Sequence, residues 1–195
     1  MTSGRREADL VRAFVALELD GGLHARLSTL AADLRPAFPG LRWVRAQGIH
    51  LTLRFLGDAS PGQIERLGRA LDEAAAVCPA TTASVSGLGV FPERGSPRVL
   101  WLAIGVGASV LALQAACEKA AVGAGFGPEH RPFRAHLTLG RWRDRARPPA
   151  LPQVDLGDTR LDTLTLFRSE LGPGGSVYSV LGRWKLWKLR ENEAT

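Results

Sequence analysis

Cysteine is scarce in this chain, since Cys78 and Cys117 are its only two among 195 residues. Two cysteines are too few for a disulfide-rich scaffold. They also do not form a closely spaced pair of the kind found in zinc sites and redox motifs. We expect both thiols to be buried as small apolar side chains. The N-terminus also lacks an apolar run of signal-peptide length, so the sequence predicts a cytoplasmic protein.

Long hydrophobic runs are equally rare, with one charge-free stretch between Arg98 and Glu118. Branched and aromatic residues fill its first half, glycines follow, and apolar residues at helical spacing begin at Ser109. The stretch therefore predicts a buried strand over 99–106 and a helix over 109–123. This interpretation excludes a membrane span and a membrane partner.

Lysine is uncommon, because 22 of the 25 basic residues are arginine, and the net charge is +6. This charge suits an anionic partner, but an arginine bias also accompanies a GC-rich genome, so basicity alone does not indicate nucleic acid. The apolar fraction of 45% is that of an ordinary globular protein. We expect residues 1–195 to form one domain of ordinary size or two small lobes that share one core.

Hydrophobic periodicity predicts an α+β fold whose strands and helices alternate along the chain. Asp20 is predicted to cap the first helix, and Ser60 with Pro61 and Gln63 has the sequence of a capping box. The Gly172 to Gly175 segment is predicted to connect a hairpin. The predicted strands are 13–19, 41–44, 50–56, 82–91, 99–106, 136–139, 159–171 and 177–189, and the helices are 20–36, 60–77 and 109–123.

The most informative feature is a repeated tetrapeptide, His-Leu-Thr-Leu, which occurs at His50–Leu53 and again at His136–Leu139. The copies begin 86 residues apart, at positions 50 and 136, too far for a solenoid period. With only four histidines in the chain, such a coincidence is improbable. The repeat predicts two related halves.

Strand geometry indicates what the repeat does, because residues two apart share one face. His50 and Thr52 then lie together, as do His136 and Thr138. If the halves are related by a two-fold axis, the His-Thr pair of one half meets the His-Thr pair of the other across a cleft. Two imidazoles facing one substrate suit concerted acid–base catalysis, and threonine hydroxyls beside them can bind phosphate oxygens.

The histidines also have other interpretations. A single His-x-Thr is usually a satisfied polar pair, but two identical copies favour a functional site. Two histidines without nearby Asp, Glu or Cys on the same strand faces make a poor metal site, and we expect no metal or other cofactor. His24 is expected to be solvated and His130 to be a loop residue, with a peripheral substrate contact as its alternative.

With these motifs the chain resembles the 2H phosphoesterase superfamily, and within it the RNA 2′,3′-cyclic phosphodiesterases, also known as bacterial 2′-5′ RNA ligases (LigT/ThpR-like). Besides the two motifs, the resemblance rests on the stretches RAFVALELD, LRWVRAQGIHLTLRFLGD, HRPFRAHLTLGR and LFRSELGPGGSVYSVL. One departure is Ala135, where the family pattern has proline. The resemblance covers nearly the whole chain.

The resemblance implies a bilobal fold with two antiparallel sheets lining a central cleft and helices outside. It also implies metal-independent hydrolysis of an RNA 2′,3′-cyclic phosphate to a 2′-phosphate. In this sequence, His50 resembles the proton donor and His136 the proton acceptor, and Thr52 and Thr138 would hold the phosphate. The reverse reaction would join RNA ends through a 2′-5′ linkage.

Several other residues are weaker candidates. For phosphate charge, strand geometry favours Arg134 first, followed by Arg141 and Arg54, while the face of Arg168 is not fixed by the sequence. A nucleobase could stack on Phe55, Phe133 or Trp142, although alternation favours the core for Phe55. The arginines from Arg131 to Arg147 are either an RNA track or a solvated loop, and Gly172 to Gly175 is either a turn or a phosphate cradle.

Three functions therefore remain open from the sequence. The first is an RNA cyclic phosphodiesterase acting as a monomer, because the two halves supply both sides of the cleft. The second keeps the site but acts on a small cyclic nucleotide or an ADP-ribose cyclic phosphate. The third is a nucleotide-binding module without turnover, which would not need two titratable groups.

Overall fold

The computed structural model describes residues 10–144, 148–172 and 175–187. Short 3₁₀ turns at Arg35–Ala37 and Ala46–Gly48 flank the second strand. The element order confirms the α+β prediction. Within the described residues the elements are β1 (Val11–Leu17), α1 (Gly21–Leu34), β2 (Leu41–Trp43), β3 (Leu51–Ala59), α2 (Pro61–Val77), β4 (Thr81–Phe91), β5 (Val99–Gly105), α3 (Ala108–Gly123), β6 (His136–Trp142), β7 (Asp155–Leu161), β8 (Thr163–Gly172) and β9 (Gly175–Lys185).

The strands form one antiparallel sheet in the order β7-β4-β5-β6-β3-β1-β8-β9, with β2 alongside β6. Four strands, β3, β1, β8 and β9, make one half, and β6, β5, β4 and β7 make the other. Strands β3 and β6 join the halves at the residue pair of Leu51 and Leu137. The two sheets expected from the family resemblance are thus joined into one at the two repeated motifs.

Both halves carry a β-bulge at the same place, the fourth residue of the motif. Leu53 has no partner on β1, and Leu139 has none on β5, although their neighbours are paired. A bulge adds one residue to a strand and so reverses the alternation of faces beyond it. Phe55 and Arg141 consequently lie on the face opposite to the one that strict alternation predicts.

The core is one cluster of buried apolar side chains. Leu51 and Leu137 belong to it, each 0% exposed. Cys78 and Cys117 are free and buried, as predicted, and burial raises the pKa of Cys117 to about 12. Burial also raises the pKa of Cys78, so neither thiol is available as a thiolate near neutral pH.

Side-chain caps begin the first two helices as the sequence predicts. The Asp20 carboxylate accepts a hydrogen bond of 2.7 Å from the Leu23 backbone N–H, and it also accepts from the Thr159 hydroxyl of β7. At the start of α2, Ser60 and Gln63 form a complete capping box. These caps satisfy backbone N–H groups that have no partner within a helix.

The charge-free stretch forms strand β5 and helix α3, which confirms the predicted division near residues 105–109. Gly107 is the residue that caps α3. Within the described ranges, no helix combines the length and the apolar character needed to cross a membrane.

The prediction of one strand over 159–171 was wrong. Two strands, β7 and β8, occupy this region and are separated at Asp162; β7 pairs with β4 in one half and β8 with β1 in the other. The apolar pattern runs through the break, so it hides the change of partner. Asp162 stabilises the crossover by accepting hydrogen bonds from Thr163 and Lys185.

The final hairpin is confirmed, because β8 and β9 pair as far as Gly172 and Gly175. Residues 173–174 of the predicted connection lie outside the described residues, and so do residues 188–189 of the predicted last strand and residues 145–147 of the arginine-rich loop. The alternative of a phosphate cradle at the hairpin connection is not tested.

Candidate active site

The two motifs meet where the halves of the sheet join. Leu51 and Leu137 face each other across this junction and point into the core. Because successive side chains along a strand point to opposite faces, the polar residues on either side of each leucine lie on the other face. These polar residues are His50, Thr52, His136 and Thr138.

The antiparallel register arranges these four residues as a square. Continuing it by one residue on each side of the leucine pair places His50 across from Thr138 and Thr52 across from His136. The two histidines are therefore diagonal neighbours, and diagonal neighbours in such a ladder are about 7–8 Å apart. The two motifs thus bring both imidazoles to one region of this face of the sheet.

Both imidazoles are held by the backbone in the same way. Nδ1 of His50 lies 2.9 Å from the carbonyl oxygen of Gly48, and Nδ1 of His136 lies 2.7 Å from that of Arg134. A carbonyl oxygen can only accept, so Nδ1 carries the proton and donates it in both rings. Nε2 of each neutral ring is left with a free lone pair.

His50 lies in an aromatic cluster. Its ring stacks on Phe14 at 4.6 Å between centroids, and it meets Tyr178 edge-on at 5.3 Å and Phe167 at 5.8 Å. Burial lowers the pKa of His50 to about 4, although the Gly48 carbonyl opposes this shift; His136 lowers the pKa slightly further. The two imidazoles are close enough to interact electrostatically.

His136 has fewer ring contacts and more positive neighbours. Phe91 meets it edge-on at 5.2 Å, and Trp101 lies 6.3 Å away. Burial lowers the pKa of His136, the Arg134 carbonyl opposes the shift, and the charges of Arg141 and Arg134 lower the pKa further. Both histidines are therefore neutral near pH 7 in the free protein.

Two of the three predicted phosphate-binding arginines lie near His136. The guanidinium of Arg134 sits over the Phe91 ring at 4.7 Å and forms an exposed ion pair of 2.6 Å with Glu93. Arg141 is exposed on the same face as Thr138, and no ion pair holds it within the described ranges.

The third, Arg54, is not placed to bind phosphate, which corrects the prediction. Its side chain is only 8% exposed and forms an ion pair with Glu118 of α3. It also donates to the carbonyl oxygens of Phe55 and Gly127. The bulge at Leu53 turns Arg54 away from the face of His50 and into the layer between the sheet and the helices.

The same bulges change the predicted roles of the aromatic candidates. Phe55 is 51% exposed rather than in the core, and its ring lies 6.0 Å from that of Phe14. Trp142 is buried beside Phe38, so it offers no surface to a nucleobase. Phe133 is half-buried and packs against the core. Phe55 is thus the exposed aromatic ring next to the site.

The remaining candidates are Arg168, His24 and His130. Arg168 pairs across the sheet with Ala13, a core residue, and forms an ion pair with Glu170. His24, predicted to be solvated, is half-buried, with Nε2 3.4 Å from the carbonyl oxygen of Ile49. His130 is exposed in its loop as predicted. Among the described residues, no three His, Cys, Asp or Glu side chains are grouped closely enough to hold a metal ion.

Sequence reasoning missed the aromatic cluster around His50. Phe167 and Tyr178 come from the β8–β9 hairpin, whereas Phe14 and His50 come from β1 and the start of β3, which are far from that hairpin along the chain. No spacing in the sequence connects them, since the contact depends on β1 pairing with both β3 and β8. Only the sheet order brings them together.

Comparison with known proteins gives consistent results. The family model described as LigT like Phosphoesterase matches residues 17–101 and 104–178. The RNA 2′,3′-cyclic phosphodiesterase of Methanothermobacter thermautotrophicus is 31% identical over 183 residues, which is 90% of this chain and 99% of that protein. The Thermus thermophilus protein of the same name is 33% identical over 187 residues, covering 90% of each chain.

Solved structures agree in fold. TT0787 of Thermus thermophilus superimposes with a TM-score of 0.77 at 31% identity, over 90% of this chain and 97% of that one. E. coli LigT in complex with 3′-AMP gives a TM-score of 0.77 at 26% identity, over 91% and 98%. The curled antiparallel sheet with few helices is thus shared along nearly the full length.

Proposed function

The chain belongs to the family of LigT-like phosphoesterases, and we propose that it hydrolyses the 2′,3′-cyclic phosphate at the end of an RNA to a 2′-phosphate. The observation that carries this proposal is the duplicated histidine geometry. Each Nδ1 donates to a carbonyl oxygen two residues earlier, which leaves Nε2 of each ring available for proton transfer, and the two imidazoles are close enough to interact electrostatically. Relatives named RNA 2′,3′-cyclic phosphodiesterases support the same substrate.

In the proposed reaction, Nε2 of His136 accepts a proton from water while the water oxygen attacks phosphorus. The bond between phosphorus and the 3′ oxygen breaks, and Nε2–H of His50 donates its proton to that oxygen. His136 ends protonated and His50 neutral, and exchange with solvent restores the starting state. No metal ion takes part in this scheme, because the two imidazoles carry out both proton transfers.

The donor role of His50 requires its protonated form. Burial lowers the pKa of His50 to about 4 in the free protein, so the ring is neutral before substrate arrives. A bound phosphodiester anion favours the imidazolium and raises that pKa. We therefore propose that substrate binding protonates the His50 imidazole, which can then donate this proton to the 3′ oxygen.

The neighbouring side chains hold and neutralise the substrate. The hydroxyls of Thr52 and Thr138 lie on the same face as the histidines and are proposed to donate to phosphate oxygens. Arg134 and Arg141 supply positive charge on the His136 side. Phe55 offers an exposed ring on which the terminal base can stack.

A ligation reaction is proposed to use the same geometry. If a 5′-hydroxyl of another RNA replaces water, His136 accepts its proton and the product has a 2′-5′ linkage. Because the two halves of one chain supply both histidines, we also propose that the monomer is the active form.

Product analysis tests the proposal. The protein is incubated in excess chelator with a dinucleotide that ends in a 2′,3′-cyclic phosphate, and the products are separated from 2′- and 3′-phosphate standards. We expect the 2′-phosphate alone. A 3′-phosphate product, no product, or turnover only after a divalent ion is restored would contradict the proposed reaction.

A further inference from the structure

Two arginines lie side by side on the active-site face, next to the histidine square. Arg42 of β2 pairs directly with Arg141 of β6. The flanking pair, Leu41 and Trp142, is buried in the core, so alternation places both arginines on the opposite face. Side chains directly opposite in an antiparallel ladder have Cβ atoms about 5 Å apart.

Neither guanidinium has an acidic partner among the described residues. Both side chains are exposed, and no carboxylate forms an ion pair with either of them in ranges 10–144, 148–172 and 175–187. Arg131, Arg134 and Arg168, by contrast, each have a glutamate partner. Like charges directly opposite destabilise a ladder, so this pair carries a cost that a bound anion would remove.

The pair lies one step along β6 from the proposed reaction centre. Thr138 and Arg141 are three residues apart, but the bulge at Leu139 makes them successive side chains on the same face. Two such positions are separated by roughly 7 Å along a strand. Arg141 is also close enough to His136 for its charge to lower the pKa of that histidine.

We propose that Arg42 and Arg141 form a second phosphate-binding site, which takes the phosphodiester on the 5′ side of the terminal nucleotide. This inference rests on the proposed function and narrows its substrate class to RNA oligonucleotides rather than mononucleotides. Two adjacent guanidinium groups can donate hydrogen bonds to the two non-bridging oxygens of one phosphodiester. The site fixes the chain direction, with the cyclic end at the histidines and the rest of the RNA crossing β2 and β6.

The test compares three substrates that share the same terminal nucleoside 2′,3′-cyclic phosphate. One is the mononucleotide with a free 5′-hydroxyl, one is a dinucleotide, and one is the dinucleotide with a neutral methylphosphonate linkage. In the unmodified protein we expect KM for the natural dinucleotide to be roughly tenfold lower than for the methylphosphonate, with kcat unchanged, because only the charged linkage binds the pair.

The variant Arg42→Gln should raise KM for the dinucleotide roughly tenfold and leave both the mononucleotide and the methylphosphonate unchanged. Arg69→Gln, on the outer face of α2 and paired with Glu65, is the matched control and should change none of the three. Unchanged mononucleotide kinetics also show that Arg42→Gln is folded.

Equal KM values for the two dinucleotides in the unmodified protein would overturn the second site while leaving the proposed function intact. An equal loss on all three substrates in Arg42→Gln would also overturn it, since Arg42 would then support the reaction centre. If the unmodified protein hydrolysed none of the three, the proposed function itself would fail.

Discussion

At the scale of single residues, the two histidines are alike in their backbone contacts and different in their surroundings. Both donate from Nδ1 to the carbonyl oxygen two residues earlier. His50 is enclosed by aromatic rings, whereas His136 faces Arg134 and Arg141. The duplication thus supplies two imidazoles in equivalent orientations, and the different neighbours set their protonation separately.

The depressed pKa of His50 has a consequence for stability. Its pKa is about 4 in the folded protein against 6.5 as the ordinary value, so between these values the unfolded chain binds a proton that the folded protein does not. The free energy of unfolding therefore falls as pH is lowered from about 6.5 to about 4, and His50 accounts for about 3 kcal/mol of that fall. Denaturant unfolding at a series of pH values measures it.

The variant His50→Phe keeps an aromatic ring beside Phe14 but cannot titrate, so we expect its pH dependence to be weaker by that amount. His130→Gln changes an exposed loop histidine and should keep the full dependence. If His50→Phe showed the same loss of stability in acid as the unmodified protein, the burial argument for His50 would be wrong.

At this scale the sequence predicted the placement of the motif side chains where spacing alone decides the geometry. The His-x-Thr spacing places each histidine and threonine on one face without knowledge of the partner strand. Arg54 and Phe55 were misplaced because a bulge at Leu53 reverses the alternation, and neither copy of the motif carries a residue that signals a bulge. Arg42 was missed because its importance depends on the strand opposite.

At the scale of secondary-structure elements, the buried ion pair of Arg54 and Glu118 connects the strand of the first motif to the loop that precedes the second motif. Arg54 of β3 reaches Glu118 of α3 and the carbonyl oxygen of Gly127. Glu118 also accepts a hydrogen bond of 2.9 Å from the Glu129 backbone N–H, in the loop that leads to His136. The Glu118 carboxylate thus connects α3, β3 and this loop.

Removing one partner of this pair is expected to be costly. Glu118→Leu leaves the Arg54 charge buried without a counter-charge and should lower the free energy of unfolding by about 3 kcal/mol. Adding Arg54→Leu to that variant removes the orphaned charge and should recover part of the loss. Chemical denaturation of the single and double variants provides the measurement.

The exposed pair of Arg69 and Glu65 on α2 is the matched control, because both side chains are largely in solvent. Glu65→Leu should change stability by less than about 1 kcal/mol. Equal effects of Glu118→Leu and Glu65→Leu would show that the buried pair does not hold these elements together.

Element boundaries were predictable where a local signal exists. The Asp20 cap and the Ser60–Gln63 capping box mark helix starts in the sequence itself. The division at Asp162 carries no comparable signal, because β7 and β8 differ in their partner strands rather than in composition. The pairing of strands that are far apart along the chain therefore could not be predicted from the sequence.

At the scale of the whole molecule, the halves are interlocked rather than merely adjacent. Helix α1 follows β1 in the first half but packs against β7 in the second, and α3 follows β5 in the second half but packs against β3 in the first. One hydrophobic cluster spans both halves. We infer that the chain folds as a single bilobal unit whose two halves together make one active site.

The central claim is that both imidazoles serve one phosphorus atom. The most direct test is kcat/KM for a cyclic-phosphate dinucleotide in His50→Gln, His136→Gln and the double variant, with glutamine retaining a donor for the backbone carbonyl. Each single change should lower kcat/KM by roughly 10³-fold or more, and the double change by little beyond either. Near-normal turnover in one single variant, or losses that multiply as for independent sites, would contradict the account.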